Sequence, residues 1–172
     1  MDPANPALDR LSPLLGEWTV ETSLAPPGTV AARTVFEWGV GGAFLLQRSE
    51  IDLAEAPDAL CVIAAERDGD GFTQHYFDSR GVVRVYAMTF GDGLWTLRRE
   101  RPDFDPLGFA QRFEGRLSED GATIDGHWDI RPAGEAWRKD FDITYTRAAA
   151  RAAPHRPSAM TGGAAGAGRH IR

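Results

Sequence analysis

The chain carries a single cysteine, Cys61, in 172 residues. That excludes an internal disulfide framework and suits a reducing compartment. Histidine is nearly as scarce: His75 and His127 lie far apart in the body, and His155 and His170 stand close to the end. A structural or catalytic zinc site needs three or four convergent ligands, so no metal site is expected. The opening MDPANPALDRL has neither a basic n-region nor an apolar h-region, so no signal peptide is expected. No apolar run approaches the length of a membrane-spanning helix. A glycine-rich phosphate cradle is also missing, because the glycines of GVGG at 39–42 join two strands and open no helix. These absences predict a cytoplasmic protein without a membrane partner, and they leave a homodimer open.

Charge is unevenly spread. The total is -6, yet no Asp or Glu occurs from Ala148 onward, where Arg151, Arg156, Arg169 and Arg172 are the only charged side chains. Removing those four arginines leaves about -10 on residues 1–147, an acidic body that argues against nucleic acid as a partner. Residues 148–172, rich in Ala, Gly and Pro with GGAAGAG near the end, offer nothing to pack and are expected to be disordered.

What is present is a dense alternation of strands and turns. Leu8, Leu11, Leu14 and Leu15 have helical spacing broken by Pro13, which predicts a short helical plug. After Gly16, aromatic and β-branched segments alternate with the turn clusters APPG, GVGG, DGDG, DSRG, GDG, SEDG and RPAGE. Ten strands are expected, over 16–23, 30–38, 43–51, 60–67, 72–79, 82–90, 94–101, 109–117, 123–131 and 137–147. No segment supplies the crossover helices of a parallel sheet, and ten sequential strands either close or expose edges. The fold class is therefore all-β: a ten-stranded antiparallel up-and-down barrel over residues 1–147, with a short N-terminal helix and a disordered C-terminal tail.

Paired residues of a hairpin lie on one side of a sheet, so facing can be carried from turn to turn. A two-residue turn within Asp78-Ser79-Arg80-Gly81 groups Thr73, His75 and Phe77 with Val82, Arg84, Tyr86 and Met88. Asp92-Gly93, a strong two-residue hairpin signal, joins that set to Phe90, Trp95, Leu97 and Arg99. This set is the more apolar and is placed inside. The same reasoning puts Leu60, Val62 and Ala64 inside and Cys61 outside, and groups Phe109, Gln111 and Phe113 with Ile124 and Trp128.

An interior of Phe77, Met88, Trp95, Phe113, Trp128 and Phe141 would then hold His75, Arg84, Tyr86, Arg99, Gln111, Lys139 and Tyr145, joined by Gln47 or Arg48. Buried cations need a charge or a ligand. This composition suits a small amphipathic molecule with a carboxylate, phosphate or phenolate, its polar end on Arg84, Arg99 or Lys139. The alternative is internal: ordered water, with Glu50 or Glu66 neutralising the arginines. If the protein were an isomerase or cyclase, His75 would be the acid or base, with Tyr86 and Arg84 stabilising an oxyanion. Otherwise His75 is a core histidine hydrogen-bonded to Tyr86. Asp78-Ser79-Arg80-Gly81 reads as turn chemistry, and Cys61 has no matching base for nucleophilic work.

Gly16-Glu17-Trp18 after the helical turn, with Arg147 closing Thr144-Tyr145-Thr146-Arg147, resembles the GxW signature of calycins, whose Trp packs under the barrel floor beneath a basic residue. LLGEW, GGAFLLQRSEID, QHYFDSRGVVRVYAM, FAQRFEGRLSEDGATIDGHW and DFDITYTR resemble bacterial proteins of the DUF1579 type over most of residues 11–147. The resemblance implies the lipocalin-like fold and hardly any activity. Nitrobindin-like haem proteins share such a barrel, which makes haem the one cofactor carried as an alternative to none. Their glycine-rich first-strand motif is not reproduced at Thr19-Val20-Glu21, and His75 is the only interior candidate for an axial ligand.

Overall fold

The computed structural model describes residues 5–53, 56–67 and 69–149. The tail expected from residue 148 therefore lies, beyond Ala149, outside the described residues. A 3-10 helix, Pro6–Leu14, precedes β1 (Gly16–Thr22), β2 (Ala32–Gly39), β3 (Phe44–Ile51), β4 (Ala59–Ala65), β5 (Phe72–Asp78), β6 (Val83–Gly91), β7 (Leu94–Arg99), β8 (Phe109–Leu117), β9 (Thr123–Pro132) and β10 (Arg138–Arg147). Every strand pairs antiparallel with its sequence neighbour, and β1 pairs with β10, so the barrel closes without a free edge. All ten expected strands are present within about two residues of their expected ends.

Leu8, Leu11 and Leu14 recur every third residue, the period of a 3-10 turn, so all three fall on one side and are fully buried. Asn5 caps the helix by accepting the Ala7 N–H at 3.0 Å. The helix packs against β3, β4 and β6 and plugs one end of the barrel. There Trp18 Nε1 donates to Leu14 O at 2.8 Å, and the Arg147 guanidinium lies 4.1 Å from the Trp18 ring centre. Arg147 also donates to Leu15 O, Pro13 O and Gly121 O, at 2.6, 2.8 and 3.0 Å. Gly16, at φ 112°, sits where a Cβ would come within 3.1 Å of Arg147 Nη1, so both its conformation and its lack of a side chain are needed.

One turn decides the facing of two strands. The β5–β6 connection is a three-residue loop, Ser79-Arg80-Gly81, closed by Gly81 N–H to Asp78 O at 2.9 Å and Asp78 N–H to Val82 O at 3.1 Å. Gly81 takes φ 82°, as the residue after a type I turn does in such a hairpin. Phe77 consequently pairs with Val83, and Tyr76 with Arg84. The extra residue turns β5 over relative to the expected two-residue turn. Phe72, Gln74 and Tyr76 point inward while Thr73, His75 and Phe77 point outward. Because the β4–β5 pairing is in the expected phase, β4 turns over with it: Cys61 faces in, and Leu60, Val62 and Ala64 face out. On β3, Gln47 faces in and Arg48 pairs with Glu37 outside at 3.1 Å.

A second irregularity sits in β10. Lys139 pairs with Asp129 and Phe141 with Trp128, so Asp140 is an extra residue, a bulge that reverses the facing of the strand's first turn. Phe141, Ile143 and Tyr145 face in, whereas Lys139 faces out.

Candidate functional site

Between the plug and the opposite end lies a cavity of about 250 Å³. Its body is apolar, with Leu97, Phe113, Trp128 and Phe141 on one side and Ile51, Ala59 and Cys61 across from them. The aromatic rings brace one another edge-on or tilted. Trp95 and Phe113 have centroids 4.8 Å apart, Phe113 and Trp128 5.3 Å, and Tyr86 and Trp128 5.8 Å. Such packing fixes the wall and leaves the polar side chains as the groups that can select an occupant.

Three polar residues cluster at the end away from the plug. Tyr86 donates from its hydroxyl to Gln111 Oε1 at 2.9 Å, and Arg84 Nη1 donates to the same oxygen at 3.2 Å. Arg84 also lies 5.2 Å from the Phe109 ring centre. No carboxylate lines the cavity, and among the described residues none lies within ion-pair distance of Arg84. Burial pushes the Tyr86 phenol upward, with Arg84 pulling the other way, so the phenol stays protonated and serves as a donor.

Arg99 behaves differently. It donates from Nε to Asp103 Oδ2 at 2.7 Å and from Nη2 to Asp103 Oδ1 at 2.8 Å. Both side chains are almost wholly buried, 3% and 5% exposed. Asp103 also accepts the Val85 N–H at 2.9 Å, replacing the strand partner that β7 no longer supplies there. The Arg99 hydrogen bonds hold the Asp103 carboxyl well below the usual carboxylate range, against the burial that pushes it up. Arg99 is thus neutralised from the 100–108 loop, and neither Glu50 nor Glu66 takes that role.

Of the residues expected to bind a ligand, Arg84, Gln111, Trp128, Tyr145, Trp95 and Phe113 line the cavity together. Arg99 is buried but engaged by Asp103, and Lys139 is outside, 2.7 Å from Asp142. His75 stands on the outer wall between Val62 and Val85, because the β5–β6 loop has three residues. His75 and Tyr86 therefore sit on opposite faces and form no acid–base pair. His127 faces out, 3.7 Å from Asp129. Phe77, expected inside, is 39% exposed on the outer face.

The sequence reasoning missed Cys61, Gln74 and Tyr76, the inward set of β4 and β5. Burial pushes the Cys61 thiol up to about 12, which keeps it an inert neutral wall group. Tyr76 donates to Asp78 Oδ2 at 3.0 Å, and Asp78 also receives Arg80 at 2.7 Å. Gln74, 4% exposed, keeps Oε1 without a hydrogen-bond partner, as does Trp95 at Nε1. No group of three or more His, Cys, Asp or Glu that could hold a metal ion occurs among the described residues. No histidine among them lines the cavity, so this lining does not fit a histidine-ligated haem.

No family model matches the chain, and no curated protein does. Among solved structures, the chain is similar to the crystal structure of Rv2717c from M. tuberculosis, with a TM-score of 0.57 and 19% identity. The match covers 84% of this chain and 99% of that one. At that identity the likeness is one of fold: both chains build the same kind of barrel.

Proposed function

We propose that this protein is a small-molecule-binding barrel that holds an amphipathic organic anion, its apolar body among Trp95, Phe113, Trp128 and Phe141 and its charge on Arg84. The observation that carries the reading is the contrast between two arginines. Arg99 is matched within the fold by Asp103, whereas Arg84 reaches the cavity beside uncharged groups, the Gln111 oxygen, the Tyr86 phenol and the Phe109 ring. A cation at an apolar cavity is most economically matched by an anion brought in with the ligand. The floor formed by Gly16, Trp18 and Arg147 supports a calycin-like assignment, and the DUF1579-type one rests on the sequence segments quoted above. Placement in the cytoplasm rests on the lone cysteine, Cys61. Among the described residues no helix is long and apolar enough to cross a membrane.

The test is a titration with 2-naphthoate and with its neutral analogue 2-naphthamide, read by quenching of tryptophan fluorescence. The acid should bind more tightly than the amide, and Arg84→Met should weaken the acid at least tenfold, the worth of one charge-assisted hydrogen bond. Equal binding of acid and amide, or an Arg84→Met protein that binds the acid undiminished, contradicts the reading.

A further inference from the structure

Two buried polar atoms of the cavity wall lack a protein partner. Gln74 is the inward residue next above the fully buried Phe72 on β5, and Trp95 is the first inward residue of β7 after the turn beside the plugged end. Arg84, by contrast, is the first inward residue of β6 from the other end. Gln74 Oε1 and Trp95 Nε1 are both buried, both belong to side chains lining the cavity, and neither has a protein partner. Buried polar atoms of this kind are exceptions that call for an occupant able to satisfy them. One is an acceptor and the other a donor only.

We propose that the ligand is a hydroxy acid, with its carboxylate on Arg84 and, at the far end of a flat apolar body, a hydroxyl that donates to Gln74 Oε1 and accepts from Trp95 Nε1. This rests on the binding reading above. A hydroxyl is the small group that donates and accepts at once. An ammonium has no acceptor for the indole N–H, and no carboxylate lines the cavity to balance its charge. A second carboxylate sets a charged acceptor against the Gln74 oxygen. An apolar end leaves both atoms unmatched. The Phe113 and Trp128 rings, 5.3 Å apart, present apolar cavity wall suited to an aromatic body.

The experiment compares 6-hydroxy-2-naphthoate with 2-naphthoate, acids of the same skeleton differing by the remote hydroxyl. Calorimetric titration of the unaltered protein should show the hydroxy acid bound about tenfold more tightly, the worth of one net hydrogen bond. Gln74→Met, confirmed as folded by its thermal transition, should bring that ratio close to one. The comparison on unaltered protein stands even if the variant does not fold. Equal affinities for the two acids, as a retained water in place of the hydroxyl would give, overturn the hydroxy-acid inference and leave the anion-binding reading standing. A preference that survives Gln74→Met also overturns it, and failure of both acids to bind overturns both.

Discussion

Replacing Asp103 by alanine should destabilise the barrel far more than its position in an irregular loop suggests. Its carboxylate receives two hydrogen bonds from Arg99 and one from the Val85 N–H, all between 2.7 and 2.9 Å, with both charged side chains almost wholly buried. Removal leaves a buried guanidinium unpaired, which costs about 3–5 kcal/mol, with the orphaned Val85 N–H included in that range. For a domain of this size that lowers the melting temperature by roughly 10 °C. Urea unfolding of Asp103→Ala, Arg99→Met and the Arg99→Met/Asp103→Leu double variant should show a large loss in the single variants and recovery of most of it in the double. The pair also sets a pH dependence. Because the Asp103 carboxyl is held below its unfolded value, its stabilisation is complete above about pH 4, the unfolded carboxylate range, and is lost as pH falls below that. Asp103→Ala should lack this component of acid sensitivity. A single-variant loss below about 1 kcal/mol would show that the ion pair does not hold the loop to the wall.

Arg147→Ala should cost about 1–2 kcal/mol, through the lost cation–π contact with Trp18 and the freed carbonyls of the plug, as read by a thermal melt. Cys61 should react with iodoacetamide at pH 8 much more slowly than a free thiol, since burial holds it at about 12, and should react readily once the protein is unfolded in urea. His75→Ala should leave 2-naphthoate affinity unchanged, because its imidazole projects from the outer wall between Val62 and Val85. A weakened affinity in a folded His75→Ala protein would place the ligand elsewhere.

The strands were legible because their signals are local. Alternation along Trp128, Ile130, Phe141, Ile143 and Tyr145, and turns such as Asp92-Gly93, mark each hairpin where it occurs. Facing depends instead on loop length, and side chains alternate with a period of two. The third loop residue at Ser79-Arg80-Gly81 therefore exchanged His75 for Gln74 and exposed Phe77. Cys61 turns inward with Gln74, because β4 keeps its expected phase against β5. Lys139 was misplaced by a bulge, which local composition does not announce. Arg84, Tyr86, Gln111 and Trp128 are legible because the β6–β7 and β8–β9 turns keep the expected parity. The role of Asp103 lay beyond such reasoning. Its loop must fold back onto β6 before the carboxylate meets Arg99 and Val85, and no periodic pattern encodes that.

An organic anion with its charge against Arg84 is the proposed occupant of the barrel. A crystal structure of the protein with 2-naphthoate tests it most directly. The naphthyl rings are expected inside the barrel beside Phe113 and Trp128, with a carboxylate oxygen about 2.8 Å from the Arg84 guanidinium. A ligand bound only on the outer surface, or one inside with its carboxylate turned away from Arg84, contradicts it.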